Sequence, residues 1–169
     1  MQRGATPWIA CGRLRALSTP SSPSSATRRF GVTLAVATVL LATVATQWPF
    51  HYDLSHFNLT QRWAHVDWSW VHRSRSGAIR YDRDFALNLL MLIPLGIGFG
   101  LARRAGLLRV ALEALLLGTL VSVAFETAQL ATHYRFTALP DVWRNALGCV
   151  LAAVVTHAIA WRRGSASRS

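Results

Sequence analysis

At 169 residues the chain holds one domain of ordinary size, 52% hydrophobic and only 15% charged, a balance that belongs to membrane proteins rather than soluble ones. The net charge of +11 comes from arginine alone, because no lysine occurs. Those arginines flank apolar runs instead of forming one basic face, so membrane orientation accounts for them better than a nucleic-acid partner does. Cys11 and Cys149 make neither a disulfide framework nor a metal-ligand spacing.

Residues 1–29 read as a basic tail, and the low-complexity stretch Ser18–Thr27 within it predicts disorder. No acidic residue precedes Asp53, a trait of organelle transit peptides. Arg28 and Arg29, however, abut an apolar run directly and act as an inside anchor. That run, Phe30 to Trp48, is uncharged and long enough to cross a bilayer. Thr43 and Ala45 would suit signal-peptide cleavage, but the run is longer than a signal core, which favours a retained helix.

The connection 49–83 carries much of the tryptophan. Leu59, Trp63, Val66 and Trp70 fall at i, i+4, i+7 and i+11, one face of a helix. With Trp68 beside them they predict either a short helix in the membrane interface or an aromatic plug over the bundle. His51, His56, His65 and His72 lie near Asp53 and Asp67, yet no pair has a recognised ligand spacing, and no metal or other cofactor is expected. His133 and His157 are weaker candidates still.

Three further apolar segments follow. The second span, Asp84–Ala102, contains Pro94, which predicts a kink. Its Gly96 and Gly100 form a GxxxG pair that admits close approach of a neighbour. The third, Leu107–Thr132, carries Arg109 and Glu113 as an i,i+4 pair near one end. The fourth begins at Pro140-Asp141, a helix-start signature, and ends at Trp161. The expected fold is therefore an all-α integral membrane protein, a bundle of four transmembrane helices. Eleven arginines fall on the side of the two termini and seven on the other, which predicts a multi-pass protein with both termini cytoplasmic.

Polar residues inside these segments are costly and need a reason. Asp84 and Asn88 share one face of the second helix; Ser122, Glu126 and Gln129 share one face of the third. Asp141, Asn145 and Gly148 repeat the spacing on the fourth, with Gly148 allowing close packing. An alternating topology puts all three sets at one membrane face, with Glu126 roughly 9 Å below the helix end. A shared polar pocket in the outer leaflet is the economical reading, with Arg135 and Arg144 placed to neutralise its carboxylates.

The ordered pattern of Asp84, Asn88, Pro94 and Gly96, then Ser122, Glu126 and Gln129, then Arg135, Asp141, Asn145 and Gly148 resembles the VanZ-like family over about residues 80–155. Members commonly have an acidic residue three after the arginine, where this chain has Ala138. The resemblance implies a bacterial cell-membrane protein. The family's namesake is linked to resistance to teicoplanin, a lipoglycopeptide, while most members lack an assigned activity.

Three functions then compete. One is binding of an amphiphile at the pocket: a membrane lipid headgroup, a lipid-linked cell-wall precursor or a lipoglycopeptide. Another is an intramembrane enzyme acting on such a lipid, with Asp84, Glu126 and Asp141 able to supply a general acid and base, but no catalytic residue is assigned because Ser122 is a poor nucleophile with no histidine partner indicated. The third is a scaffold whose polar residues specify helix packing. Four helices leave little room for a transport pathway without oligomerisation, and the oligomeric state stays open.

Overall fold

The computed structural model describes residues 24–70, 83–132 and 137–166, with side chains omitted for 83, 84 and 164–166. Cys11, His72, His133, Arg135 and the Asp84 side chain lie outside the described residues. Six helices follow in order: α1 (Ser25–Gln47), α2 (His56–Ala64), α3 (Arg83–Met91), α4 (Ile93–Ala102), α5 (Leu107–Gln129) and α6 (Leu139–Ala166). Four stretches are long and apolar enough to span a bilayer: Ser25–Gln47, Phe85–Ala102, Leu107–Gln129 and Leu139–Arg163. The chain is a multi-pass membrane protein. Leu41, Leu108, Leu116 and Leu151 are well exposed on the bundle surface, an arrangement that hydrocarbon favours and water would punish.

Four boundaries depart from the sequence reading, one of them the end of α6, which runs on through Arg162 and Arg163 to Ala166 rather than stopping at Trp161. Helix α1 starts at Ser25, inside the stretch expected to be disordered, because the Ser24 hydroxyl accepts the Thr27 N–H at 3.1 Å and caps it. Helix α5 stops at Gln129 rather than Thr132, where Thr132 turns back to donate from its N–H to the Gln129 carbonyl at 3.0 Å. The proposed 59–70 face is also broken. Leu59 and Trp63 share α2, but the helix ends at Ala64, and Val66 and Trp70 lie beyond it. Asp67 is extended because its backbone N–H bonds the Thr137 carbonyl at 3.1 Å and its carbonyl accepts from Leu139 at 2.8 Å. Tertiary pairing overrides the helical period there.

The kink expected at Pro94 is a break. Leu92 separates α3 from α4, and Pro94 sits in the first turn of α4, where its missing N–H costs nothing. At the α4–α5 turn, Glu113 accepts from Arg109 Nε at 2.9 Å, as its spacing predicts, and also from Arg103 Nε at 2.7 Å.

Helix α6 is central, packing on α3, α4 and α5, while α1 lies mainly against α4. Small residues bring the backbones together. A Cβ on Gly96 or Gly100 would strike the α6 carbonyls of Cys149 and Ala153, and one on Gly148 would strike the Leu89 carbonyl of α3. Gly98, on the other side of α4, meets Gly31 of α1 in the same way. At the opposite end from α2, His157 of α6 is 6% exposed. Its Nδ1 lies 3.2 Å from the Gly100 carbonyl and its Nε2 lies 2.9 Å from the Ala105 carbonyl, tying α6 to the end of α4 and the turn after it.

Gly148→Val is therefore expected to destabilise the fold by about 1–3 kcal/mol or more through overpacking. Gly106→Ala, where nothing lies within 4 Å of the added Cβ, is expected to be near neutral. Thermal melts of the two variants in detergent check the contrast. In the same melts His157→Leu is expected to cost about 1–3 kcal/mol by stranding buried carbonyls.

Candidate functional site

The polar set gathers at the end of the bundle where α5 finishes and α6 begins. Helix periodicity explains each contribution. Ser122, Glu126 and Gln129 all point inward from α5 and are buried. Asn88 is half-buried on α3, and Asp141 is half-buried in the first turn of α6, where the helix dipole favours a carboxylate.

Glu126 is 7% exposed, and its Oε2 accepts from the backbone N–H of Ala138 at 3.0 Å. The hydroxyl of Thr137 donates to the Glu126 carbonyl at 3.0 Å. A carboxylate on α5 thus meets a backbone donor immediately before α6, whose first N–H groups have no partners within the helix. The Ala138 side chain is buried at this contact and contributes no polar atom.

Arg144 and Asn145, one turn into α6, are each 1% exposed. Arg144 Nη1 donates to Asp141 Oδ1 at 3.2 Å, so this arginine does meet a carboxylate as its position predicts. Its guanidinium carbon lies 4.7 Å from the Phe85 ring centroid of α3 and 5.5 Å from that of Trp143, within cation–π range. Asn145 reaches the other way, donating from Nδ2 to Ser122 Oγ at 2.8 Å. Three polar contacts, Glu126 with Ala138, Arg144 with Asp141 and Asn145 with Ser122, consequently make up a polar centre where α5 and α6 meet, with Phe85 of α3 against its arginine.

Two buried atoms in that centre lack a hydrogen-bond partner among the described residues: Arg144 Nε and Asn145 Oδ1. One is a donor and one an acceptor, on adjacent residues. Such a group costs about 1–3 kcal/mol when left unmade and needs an explanation. Ser122 is poorly placed for nucleophilic chemistry, since its hydroxyl oxygen accepts from an amide that cannot take its proton. Among the described residues no group of three His, Cys, Asp or Glu side chains is arranged to hold a metal.

Sequence reasoning missed several members. Gln47, at the end of α1, is buried and donates from Nε2 to the Phe125 carbonyl at 3.3 Å. Its signal was available, because it is a polar residue closing an uncharged run. Phe85 and the Trp143 indole, which donates from Nε1 to the Trp70 carbonyl at 2.8 Å, carried no such signal. Their roles depend on how α3, α6 and the α2 connection meet.

The VanZ/LLP1 family profile matches residues 24–160. No curated protein and no solved structure matches the chain. The profile takes in the first three membrane spans, nearly all of the fourth and the whole polar centre, and the chain belongs to the VanZ/LLP1 family.

Proposed function

We propose that this membrane protein binds the polar headgroup of an amphiphile at the centre formed by Glu126, Asp141, Arg144 and Asn145, with Asp84, Asn88, Gln129 and Arg135 as further contributors. The carrying observation is a pair of buried polar atoms without a hydrogen-bond partner among the described residues, the donor Arg144 Nε and the acceptor Asn145 Oδ1, on consecutive residues of a spanning helix. A phosphate oxygen or hydroxyl of a headgroup suits the first, and a hydroxyl or amine suits the second. Membrane lipids, lipid-linked cell-wall precursors and lipoglycopeptides all present these groups on an apolar anchor. A role in resistance to a teicoplanin-type compound would follow from the last of these.

A packing role is the second reading, and the bond from Ala138 N–H to Glu126 favours it. The two readings separate cleanly. Glutamine at 126 keeps an acceptor for Ala138 while removing the charge. If Glu126 only packs, Glu126→Gln is silent and Glu126→Leu alone destabilises, by about 1–3 kcal/mol.

Native mass spectrometry of detergent-purified protein is expected to show a co-purifying anionic or zwitterionic lipid. Arg144→Lys keeps the charge but loses the Nε donor, and is expected to reduce lipid retention about tenfold, read on the fraction of protein that a thermal melt shows to be folded because the variant also loses the stacking on Phe85. Full retention by that variant would overturn the binding reading.

The arginine bias, eleven on the side of the termini against seven, supports a reading in which both termini are cytoplasmic and the polar centre lies toward the outer face of a bacterial cell membrane. Fusion of a fluorescent protein to the C-terminus is expected to be bright, and fusion of a periplasmic phosphatase there inactive. The reverse result would invert the topology.

A further inference from the structure

Helix α5 has a second functional-looking face. An open apolar groove of about 1000 Å³ lies between α5 and the segment around α2. Leu54, Leu59 and Trp63 form its wall, and Ala124, Ala128 and Ala131 form its floor. The three alanines set the floor back by keeping α5 thin over its last two turns. Ala124 and Ala128 each follow a residue of the polar face, Ser122 and Glu126, by two positions. At 3.6 residues per turn that places them on the opposite side of the helix. The groove therefore shares no side chain with the polar centre.

The wall is held at a fixed distance. Asp53 donates its backbone N–H to the Ala131 carbonyl at 2.7 Å, and Tyr52 pairs with Thr132. Asn58, buried in α2, donates from Nδ2 to the Asp53 carbonyl at 2.9 Å, fixing the helix to that tether.

An exposed stripe on the same helix, Leu112, Leu116, Leu120 and Val123, leads to the groove, since Leu120 lies one turn before the floor residue Ala124 on the same face. That stripe spaces at i, i+4, i+8 and i+11 and is the lipid-contacting surface of a membrane span. A cleft that extends this surface under α2, with few polar atoms, suits a hydrocarbon chain. We propose that the groove seats one acyl chain of a bilayer lipid, its upper part beneath α2 and its tail along the stripe. This goes beyond the headgroup reading and stands without it, because the two sites occupy opposite faces of α5.

The test uses the full chain in palmitoyl-oleoyl phosphatidylcholine vesicles containing a phosphatidylcholine with a diazirine on one acyl chain. After illumination, adducts are expected to concentrate on residues 54–63 and 124–131 above the level along Leu112–Leu120. Ala128→Trp, which fills the floor, is expected to cut the groove adducts at least about fivefold and leave the stripe adducts unchanged. Leu116→Trp, outside the groove, is expected to leave groove adducts intact. Even labelling along α5 that ignores Ala128→Trp would overturn the proposal. So would a dimer, seen by native mass spectrometry, that Ala128→Trp dissociates while groove adducts are absent, because a second copy would then be the occupant. If Ala128→Trp does not fold, Trp63→Ala carries the test by removing the wall. A fall in groove adducts supports the acyl chain, and unchanged adducts overturn it.

Discussion

The close approach of α6 to its neighbours is the contact on which the rest depends. Gly96 and Gly100 of α4 lie against α6 carbonyls, Gly148 of α6 lies against the Leu89 carbonyl of α3, and Gly118 of α5 lies against Ala146 and Cys149. Lipid tails are as apolar as leucine, so helices in a bilayer are not driven together by exclusion from water. Backbone contact through small residues supplies dispersion instead. It also sets the polar centre. Asn145 is three residues from Gly148 and Ser122 is four from Gly118, so the approach that closes these glycines brings amide and hydroxyl to 2.8 Å.

The same constraint explains how a fully buried arginine is tolerated. A charge at this depth costs several kcal/mol unless it is paired and bonded. Asp141 supplies the counter-charge, and Phe85 offers its ring face from α3. Glu126 is handled differently, by a backbone donor just before α6 rather than by Arg144. The acid and base components of the centre are thus held by different parts of α6, its approach segment and its second turn. Neither arrangement uses Arg144 Nε or Asn145 Oδ1. That leaves one donor and one acceptor, on consecutive residues, without a partner among the described residues.

Helix α5 connects this centre with a quite different surface. Its inward face is Ser122, Glu126 and Gln129; its outward face is leucine in the lower turns and alanine beneath α2. The switch from large to small apolar residues coincides with the point where Asp53 and Tyr52 fasten the α2 connection to the helix end. A single helix therefore carries a polar face and a recessed apolar face at similar height.

Much of this was determined by sequence alone. Span number and approximate length follow from apolar runs, since about 20 residues cross about 30 Å whatever the neighbours are. Residues at i, i+4 and i+7 share a face for the same local reason, which is why the Ser122–Glu126–Gln129 set was legible. So was the Arg109–Glu113 pair. Cross-helix partners were not. The spacing of Glu126 says which way it points on α5, but whether it meets Ala138, Arg144 or lipid depends on the rotation and axial register of α6. Only packing decides those. The same holds for Phe85 on Arg144, for His157 between two carbonyls, and for Gln47 on Phe125. Tertiary pairing also ended α2 at Ala64, because backbone bonds from Asp67 to Thr137 and Leu139 compete with a helix that its aromatic spacing would have prolonged. Periodicity is a property of one helix, whereas a site is a property of several.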